Sequence, residues 1–138
     1  MSEEYEKYAK KMEERFPKMY GGQYGGFAIG KGWYPLIEQL SAVIQNHIDN
    51  IHKRNEKTCP QVVVEQVKEK FGTLRFYYSG GDDYIRGVTS LAESMTAVTC
   101  EECGKPGRMR EGRWLVTLCD EHDHERELQK LLKEGMEQ

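Results

Sequence analysis

Two pairs of metal-binding side chains, separated by fifteen residues, constrain this chain more than any other feature. Cys100 and Cys103 form a CxxC pair, and Cys119 and His122 form a CxxH pair. A CxxC turn aims two thiolates at one ion, and the CxxH offset puts both side chains on one face of a helix that begins at Cys119. Three cysteines and one histidine are a standard structural zinc set, so the sequence predicts one Zn²⁺ per chain.

This zinc is predicted to be structural rather than catalytic. A catalytic zinc keeps three protein ligands and an open position for water, whereas four ligands fill this site. The HExxH motif of zinc peptidases and the HxE and PCxxC pair of zinc deaminases are both absent from the sequence. Two alternatives stay open: the cysteines are only buried thiols, or His124 replaces His122 as the fourth ligand. The spacing of the second pair favours His122.

The predicted fold class is α+β, with a small helix–β-hairpin–helix domain over residues 1–97. Apolar residues at helical spacing indicate helices over 4–16 and 33–54, and the glycine-rich run between them favours turns. Two runs with a period of two, QVVVEQVKEK and GTLRFYYSG, are typical of an antiparallel hairpin that turns at Gly72. A further helix is predicted after Asp82 and Asp83, which can cap it.

Residues 98–138 are predicted to form a zinc ribbon or treble-clef-like finger with a charged C-terminal helix. Glycine and proline residues between the two ligand pairs allow turns, and RWLVTL can form a strand that leads back to the metal.

Each helix is expected to bury one apolar face. The tyrosine and methionine residues near the N-terminus suit either a homo-oligomer interface or the core. The predicted inward-facing residues are Tyr5, Tyr8, Ala9, Met12 and Phe16; Leu36, Ile37, Leu40, Val43, Ile44, His47, Ile48 and Ile51; Tyr84, Ile85, Val88, Leu91, Ala92 and Met95; and Leu128, Leu131 and Leu132.

Composition excludes some classes of protein. The chain is 38% hydrophobic and 31% charged, without an apolar run long enough to span a bilayer, and its charged start lacks the apolar stretch of a secretory signal. We therefore expect a cytoplasmic protein that does not enter a membrane. The net charge of −3 argues against a generally polyanion-binding protein, so a nucleic-acid surface would be a local basic patch.

Two segments are candidate ligand sites. In GKGWYP, Lys31 and Trp33 stand at a glycine turn before a helix, which is a natural anion site; the alternative is a turn anchored in the core by Trp33. In the hairpin, Lys68, Arg75 and Tyr77 can neutralise a phosphate and stack on a base; the alternative is an ordinary half-exposed sheet face.

A third candidate lies between the two metal-ligand pairs. Arg108, Arg110, Arg113 and Trp114 suit contact with nucleic acid or with a protein partner. The alternative is a solvated basic loop that balances the acidic residues beside the cysteines.

Cys59 has no partner in the sequence. As a nucleophile it would need a nearby base, for which His47 or His52 are the candidates. His47 also falls on an apolar stripe, where a core histidine is the simpler interpretation.

Three segments together, GWYPLIEQL, VEQVKEKFGTLRFYYSG and TCEECGKPGRMREGRWLVTLCDEH, resemble a family of small proteins encoded by bacteriophages and prophages. The similarity extends from Phe16 to about His122. It implies a viral protein made in the cytoplasm of a bacterial host, with a zinc finger formed by the two ligand pairs named above. It implies no reaction and no catalytic residue.

These features predict a protein that acts by binding rather than as an enzyme. We expect a phage accessory protein that counters host defence, either by blocking a host protein or by sequestering a nucleotide signal. The alternative is a zinc-ribbon regulator that binds nucleic acid. A nuclease is a third hypothesis, in which His122 and His124 compete for the zinc.

Overall fold

The computed structural model describes residues 2–136. The predicted start of the first domain, residue 1, and the predicted end of the second, residue 138, lie outside this range. Helix and sheet are mixed, as predicted. A short 3₁₀ turn, Lys31–Trp33, precedes the longest helix. The elements in chain order are α1 (Glu3–Arg15), α2 (Pro17–Tyr20), β1 (Phe27–Ala28), α3 (Tyr34–Lys53), β2 (Val63–Lys70), β3 (Thr73–Ser79), α4 (Asp83–Thr96), β4 (Arg108–Arg110), β5 (Val116–Leu118) and α5 (Asp120–Met136).

Local signals fix where the helices begin. The Ser2 hydroxyl accepts a hydrogen bond from the Tyr5 amide and caps α1, and Pro35 occupies the first turn of α3. The prediction that Asp82 caps α4 is confirmed, because its carboxylate accepts a bond of 3.1 Å from the Ile85 amide. None of the helices within residues 2–136 combines the length and the apolar character needed to cross a membrane.

The predicted hairpin is confirmed. Strands β2 and β3 pair antiparallel, with Val67 opposite Phe76 and a bulge between Val64 and Gln66. Strand β1, which the sequence did not predict, pairs parallel to β2 and places Phe27 beside Val67. The glycine-rich run therefore contains a short edge strand and not only turns.

Helix α4 covers the free edge of β3. The Leu74 amide donates to the Thr96 hydroxyl at 3.0 Å, and the Phe76 amide donates to the Glu93 carboxylate at 3.0 Å. These two bonds satisfy strand amides that would otherwise be open to another chain.

The main core lies between the helices and one face of the three-stranded sheet. The N-terminal residues Tyr8 and Met12 are buried in it, so they belong to the core rather than to an interface. Trp33 and Cys59 are also fully buried here. The core consists of Tyr8, Met12, Phe16, Met19, Tyr20, Tyr24, Phe27, Trp33, Ile37, Leu40, Ile44, Ile48, Ile51, Cys59, Val62, Val64, Val67, Leu74, Phe76, Ile85 and Ala92.

The predicted apolar face is half correct for α4 and wrong for α5. On α4, Ile85 and Ala92 are buried and Val88 packs against the core as predicted, whereas Tyr84, Leu91 and Met95 are exposed. Thr89 and Thr96 are buried in their place. The helix is rotated because Thr96 and Glu93 must reach the edge of β3. In α5, Leu128, Leu131 and Leu132 are all exposed, and none of the described residues of this helix is buried.

The C-terminal hairpin, β4 with β5, forms a separate sheet and has its own small cluster of Cys100, Leu118 and Cys119. It is joined to the main core by the glycine-rich loop. The Gly32 amide donates to the Glu101 carbonyl at 2.7 Å, and the indole Nε1 of Trp33 donates to the Thr99 carbonyl at 2.9 Å. The division of the chain into 1–97 and 98–138 stays a prediction.

This joint requires glycine for reasons of space. A Cβ atom on Gly32 would lie 2.3 Å from the Cys100 carbonyl oxygen, and one on Gly30 would lie 2.4 Å from the Glu101 carbonyl oxygen. Any larger residue would push the CxxC turn away from the loop. The glycines therefore bring the backbones of two distant segments into contact.

Candidate metal centre

Cys100, Cys103, Cys119 and His122 converge on one point and can hold a metal ion. One ligand atom from each lies within 4.8 Å of all the others. Two of these residues belong to the turn before β4, the third follows β5, and the fourth lies in the first turn of α5. Both sequence pairs therefore meet.

The distances match a tetrahedral ion. Metal–sulfur bonds of about 2.3 Å place two thiolates about 3.8 Å apart, and a thiolate and an imidazole nitrogen about 3.6 Å apart. The Sγ atoms of Cys103 and Cys119 are 3.8 Å apart. His122 Nδ1 lies 3.7 Å from Cys100 Sγ and 3.2 Å from Cys119 Sγ. Three soft sulfur atoms and one imidazole are donors that zinc accepts readily.

Backbone hydrogen bonds hold the two ligand pairs in place. The Gly104 amide donates to the Cys100 carbonyl, and the Cys100 amide donates to the Lys105 carbonyl, each at 2.8 Å. These bonds close the CxxC turn. At the other end, the Asp123 amide donates to the Cys119 carbonyl at 2.9 Å and starts α5. The predicted helix at the CxxH pair thus begins where the ligand offset requires it.

The surroundings favour a thiolate at Cys119. A hydrogen bond from the His122 backbone amide, 3.5 Å from the sulfur, is the main cause that lowers the pKa of the Cys119 thiol to about 7. The other imidazole nitrogen of His122, Nε2, lies 4.0 Å from the Glu125 carboxylate. This distance is longer than a hydrogen bond, so Glu125 places a negative charge near the ring without fixing its orientation.

His122, not His124, completes the cluster. His124 is exposed and is not among the four converging residues. An i, i+3 offset from Cys119 keeps His122 on the same side of the helix, whereas an offset of five residues turns His124 away. The spacing argument thus agrees with the geometry.

Arg110 stabilises this centre and is not a surface contact, so the prediction that it binds a partner is wrong. Its side chain is buried, and its guanidinium donates twice to the Leu118 carbonyl, at 3.1 and 3.0 Å. It also donates to the Asp120 carboxylate at 2.8 Å, a bond that lowers the pKa of Asp120. Arg110 therefore fastens the residues on either side of Cys119.

The other residues of that predicted site are exposed. Arg108 and Arg113 are on the surface, and Trp114 is 77% exposed. Trp114 lines a cleft of about 670 Å³ together with Phe71, which is 61% exposed at the tip of the β2–β3 hairpin. The remaining lining residues are Glu69, Lys70, Arg113, Leu115 and Val116. We call this surface the aromatic face.

The aromatic face was missed in part because its members come from two segments far apart in the sequence. Phe71 adopts a positive φ of 56°, which is unusual for a bulky residue and is a consequence of the tight hairpin turn. A phenylalanine directly before the turn glycine was the available signal, since a turn residue is rarely buried.

The predicted ligand site of the hairpin is only partly assembled. Lys68 lies opposite Arg75 in the strand register, and its ammonium lies 5.7 Å from the centre of the Tyr77 ring. Lys31 instead approaches Glu4, at 3.8 Å. Trp33 is fully buried, so the prediction that it contacts a ligand is wrong and the alternative, a core anchor, is correct.

Cys59 does have His47 nearby, but it is not an activated nucleophile. Burial is the main cause that raises the pKa of the Cys59 thiol to about 11, with a further contribution from Asp82. A thiol with that pKa is protonated at neutral pH. His52 contacts the Cys59 carbonyl oxygen rather than the sulfur.

No family model, no curated protein and no solved structure matches this chain. The site is therefore interpreted from its own residues.

Proposed function

We propose that the protein is a binding protein that carries one structural zinc ion and blocks another protein through its aromatic face. The observation that carries the proposal is the pair of exposed aromatic rings, Phe71 and Trp114, on one cleft. In keeping with the resemblance to phage proteins, the partner is a defence protein of a bacterial host.

The zinc assignment rests on the four donors. Their number fills a tetrahedral shell, which is typical of structural rather than catalytic sites. The order of CxxC turn, β-hairpin and helix carrying a ligand in its first turn supports a treble-clef-like finger. Within this arrangement the ion holds the C-terminal hairpin, and with it Trp114, in position.

The composition of the aromatic face suits a protein partner. Tryptophan, phenylalanine, methionine and arginine are enriched at the centres of protein interfaces. Leu115, which lines the same cleft, and Met109, whose Cε lies near the turn glycine Gly72, are each 40% exposed. The charged residues that line the cleft are one carboxylate, Glu69, and two cations, Lys70 and Arg113, so the cleft is only weakly basic. For such a surface, burial of apolar area contributes more binding free energy than attraction to a polyanion does.

The alternative of a sequestered nucleotide signal has less support. It would need Lys31, Lys68, Arg75 and Tyr77 to converge around one pocket. Lys68, Arg75 and Tyr77 are neighbours on the sheet, whereas the Lys31 ammonium approaches Glu4 on α1. The hairpin can stack one base, but its surface is an open sheet.

The blocking function is tested in bacteria that carry one defence system each, drawn from a panel. Expression of the protein is expected to restore phage plaques in at least one strain, and the double substitution Phe71→Ser with Trp114→Ser is expected to reduce that rescue at least about tenfold, as loss of two interface anchors predicts. Native mass spectrometry of both proteins checks that each binds one zinc.

The matched control is Leu131→Ser with Leu132→Ser, which removes two similarly exposed apolar residues from α5. This control is expected to rescue as well as the unchanged protein. Equal rescue by the aromatic double variant would contradict the proposed face, and a protein purified without zinc would contradict the metal assignment.

A second candidate function is binding of single-stranded nucleic acid. It is favoured by the cations beside the exposed rings: the Lys70 ammonium lies 5.5 Å from the centre of the Phe71 ring, and Arg113 lines the same cleft. Stacking on aromatic rings beside basic side chains is how many proteins hold single strands.

This candidate predicts a strong dependence on salt. Fluorescence anisotropy with a labelled single-stranded oligonucleotide is expected to give an affinity that falls linearly with salt on logarithmic axes. Arg108→Ala with Arg113→Ala should reduce the slope, whereas Arg110 must be left unchanged because it is part of the interior. Absence of binding at low salt removes this candidate and leaves the blocking function unaffected.

A further inference from the structure

A second group of potential metal ligands lies outside the Cys3His cluster. His47, Cys59 and Asp82 each offer one donor atom, and these three atoms lie within 4.8 Å of one another. They come from three different segments: helix α3, the loop before β2, and the cap of α4. Cys59 is fully buried, and the other two residues are half-buried.

The backbone fixes the position of the cysteine. His52 Nε2 donates to the Cys59 carbonyl oxygen at 2.9 Å, which ties the loop to the end of α3. The Gly81 amide donates to the Pro60 carbonyl at 2.9 Å, which ties the same loop to the residue before Asp82. The three donors are therefore brought together by main-chain contacts, and not by a chance approach of flexible side chains.

The carboxylate of Asp82 divides its two oxygens between separate tasks. One oxygen, Oδ1, caps α4 through the Ile85 amide. The other, Oδ2, lies 2.8 Å from His47 Nε2. The His47 ring is also stacked on Tyr84, with the ring centres 4.1 Å apart. The imidazole and the free carboxylate oxygen are thus oriented toward each other before any ligand binds.

We propose that His47, Cys59 and Asp82 form a second metal site, which takes a divalent cation of the zinc type. Thiolate, imidazole and carboxylate are the three protein donors that such ions use. The metal ion displaces the proton that the Cys59 thiol carries at neutral pH, so binding releases a proton and strengthens as the pH rises. Three protein ligands leave one position of a tetrahedral ion for a water molecule.

The geometry needs only a small adjustment. Metal bonds of about 2.0–2.1 Å to nitrogen and oxygen place those atoms about 3.4 Å apart. His47 Nε2 and Asp82 Oδ2 are 2.8 Å apart. The imidazole must therefore move by roughly 0.6 Å to admit an ion between them. A metal ion requires a distance of about 3.6 Å between the sulfur and the imidazole nitrogen. The three donor atoms all lie within 4.8 Å of one another, which is compatible with this distance.

This site should bind more weakly than the Cys3His cluster, because it has one thiolate in place of three. Zinc will therefore fill the Cys3His cluster first, and the second site will take up metal only from excess. Occupation would cross-link α3, α4 and the loop before β2, all of which belong to the main core.

The test is a cobalt titration of the full chain after its Cys3His cluster has been saturated with zinc. Co²⁺ bound to a thiolate gives a charge-transfer absorption band, which zinc does not. We expect one equivalent of Co²⁺ to bind with that band, and Cys59→Ser to abolish it. Asp82→Asn should reduce cobalt affinity more than about 100-fold, beyond the roughly 10–100-fold that loss of an outer-shell group costs, while its amide oxygen still caps α4.

The matched control is Asp83→Asn, because Asp83 is the exposed neighbour of Asp82 and pairs with Arg86 rather than with any member of the site. It should leave cobalt binding unchanged, and circular dichroism should report the same fold for every variant. Three outcomes would overturn the proposal. They are no binding of a second metal equivalent, full affinity in Asp82→Asn, and a charge-transfer band that persists in Cys59→Ser, which would mean that cobalt had displaced the zinc.

Discussion

The main core and the C-terminal hairpin are built on different physical principles. The main core buries large apolar side chains from every element up to α4, among them Trp33 and Ile44. The apolar cluster of the C-terminal hairpin and the turn before it consists of only three buried residues, Cys100, Leu118 and Cys119. So few apolar atoms cannot offset the conformational entropy lost by ordering the segment, and in the proposed zinc-bound state the ion supplies the missing stabilisation.

The two regions also use their aromatic residues differently. In the main core the aromatic residues are mostly buried, whereas Trp114 in the C-terminal hairpin stays exposed. In the proposed zinc-bound state, the ion holds this segment and Trp114 is not needed for packing. That side chain is therefore free to contact a partner.

Removing the metal is the largest expected perturbation. Chelation should unfold the C-terminal hairpin and leave the main core folded, since binding of structural zinc supplies about 10–16 kcal/mol in finger peptides. Hydrogen exchange should report loss of protection in β4 and β5 only, reversed when zinc is restored. Unchanged protection in β4 after chelation would mean that the metal does not hold this segment.

A cavity in the main core should destabilise that core and leave zinc binding by the C-terminal hairpin unchanged. Ile44→Ala removes a fully buried side chain and is expected to lower the free energy of unfolding by about 2–5 kcal/mol. Bound zinc in native buffer should stay at one per chain. The control is Val43→Ala next to it, 38% exposed, which should change the free energy by less than about 0.5 kcal/mol in urea unfolding.

The joint between the two regions is tested by a pair of glycines. Gly32→Ala places a methyl group 2.3 Å from the Cys100 carbonyl, and overpacking of this kind costs about 1–3 kcal/mol. Gly87→Ala on α4 meets no atom within 4 Å and should stabilise the helix by about 0.5–1 kcal/mol. Urea unfolding measures the free energy of unfolding of both variants. Equal values for Gly32→Ala and Gly87→Ala would show that the joint tolerates a side chain.

Arg110 tests whether the C-terminal hairpin depends on polar contacts as well as on metal. Arg110→Met should destabilise it by about 1–3 kcal/mol, because the Leu118 carbonyl loses its buried donors. Arg108→Met, on the surface, should stay within about 0.5 kcal/mol. Hydrogen exchange of the β5 amides measures the loss of protection in both variants. A larger loss in Arg108→Met than in Arg110→Met would contradict the buried role of Arg110.

The smallest effect is expected in α5. Leu132 is 68% exposed, so Leu132→Ser should change stability by no more than about 0.5 kcal/mol. Thermal unfolding is sufficient to measure it. A loss of several kcal/mol would mean that this face of α5 is packed.

The sequence predicted what is determined locally. The ligand pairs have fixed spacing around turns, so their meeting at one point followed from the residues alone. The β2–β3 hairpin was predictable because its period of two and its turn glycine lie in one continuous stretch. Asp82 was recognised as a cap because capping involves only the next three residues.

What depends on distant partners could not be predicted. Periodicity indicates that α4 and α5 have apolar faces, but it does not tell which neighbour covers them. On α4 the edge of β3 selects the face with Thr96, and nothing in the described chain covers Leu131 of α5. Strand β1 exists only through its pairing with β2, and Arg110 is buried only because the Leu118 carbonyl lies beside it.

The joint between the glycine-rich loop and the CxxC turn also has a consequence for the order of events during synthesis. Gly30 and Glu101, which share a hydrogen bond, are 71 residues apart in sequence. At about 5–20 residues per second, the ribosome makes the first roughly 4–14 s before the second. The loop and the strand beside it are thus available as a docking surface when the cysteines emerge. We expect the nascent chain to position Cys100 and Cys103 on this surface first, and to capture its ion once Cys119 and His122 follow.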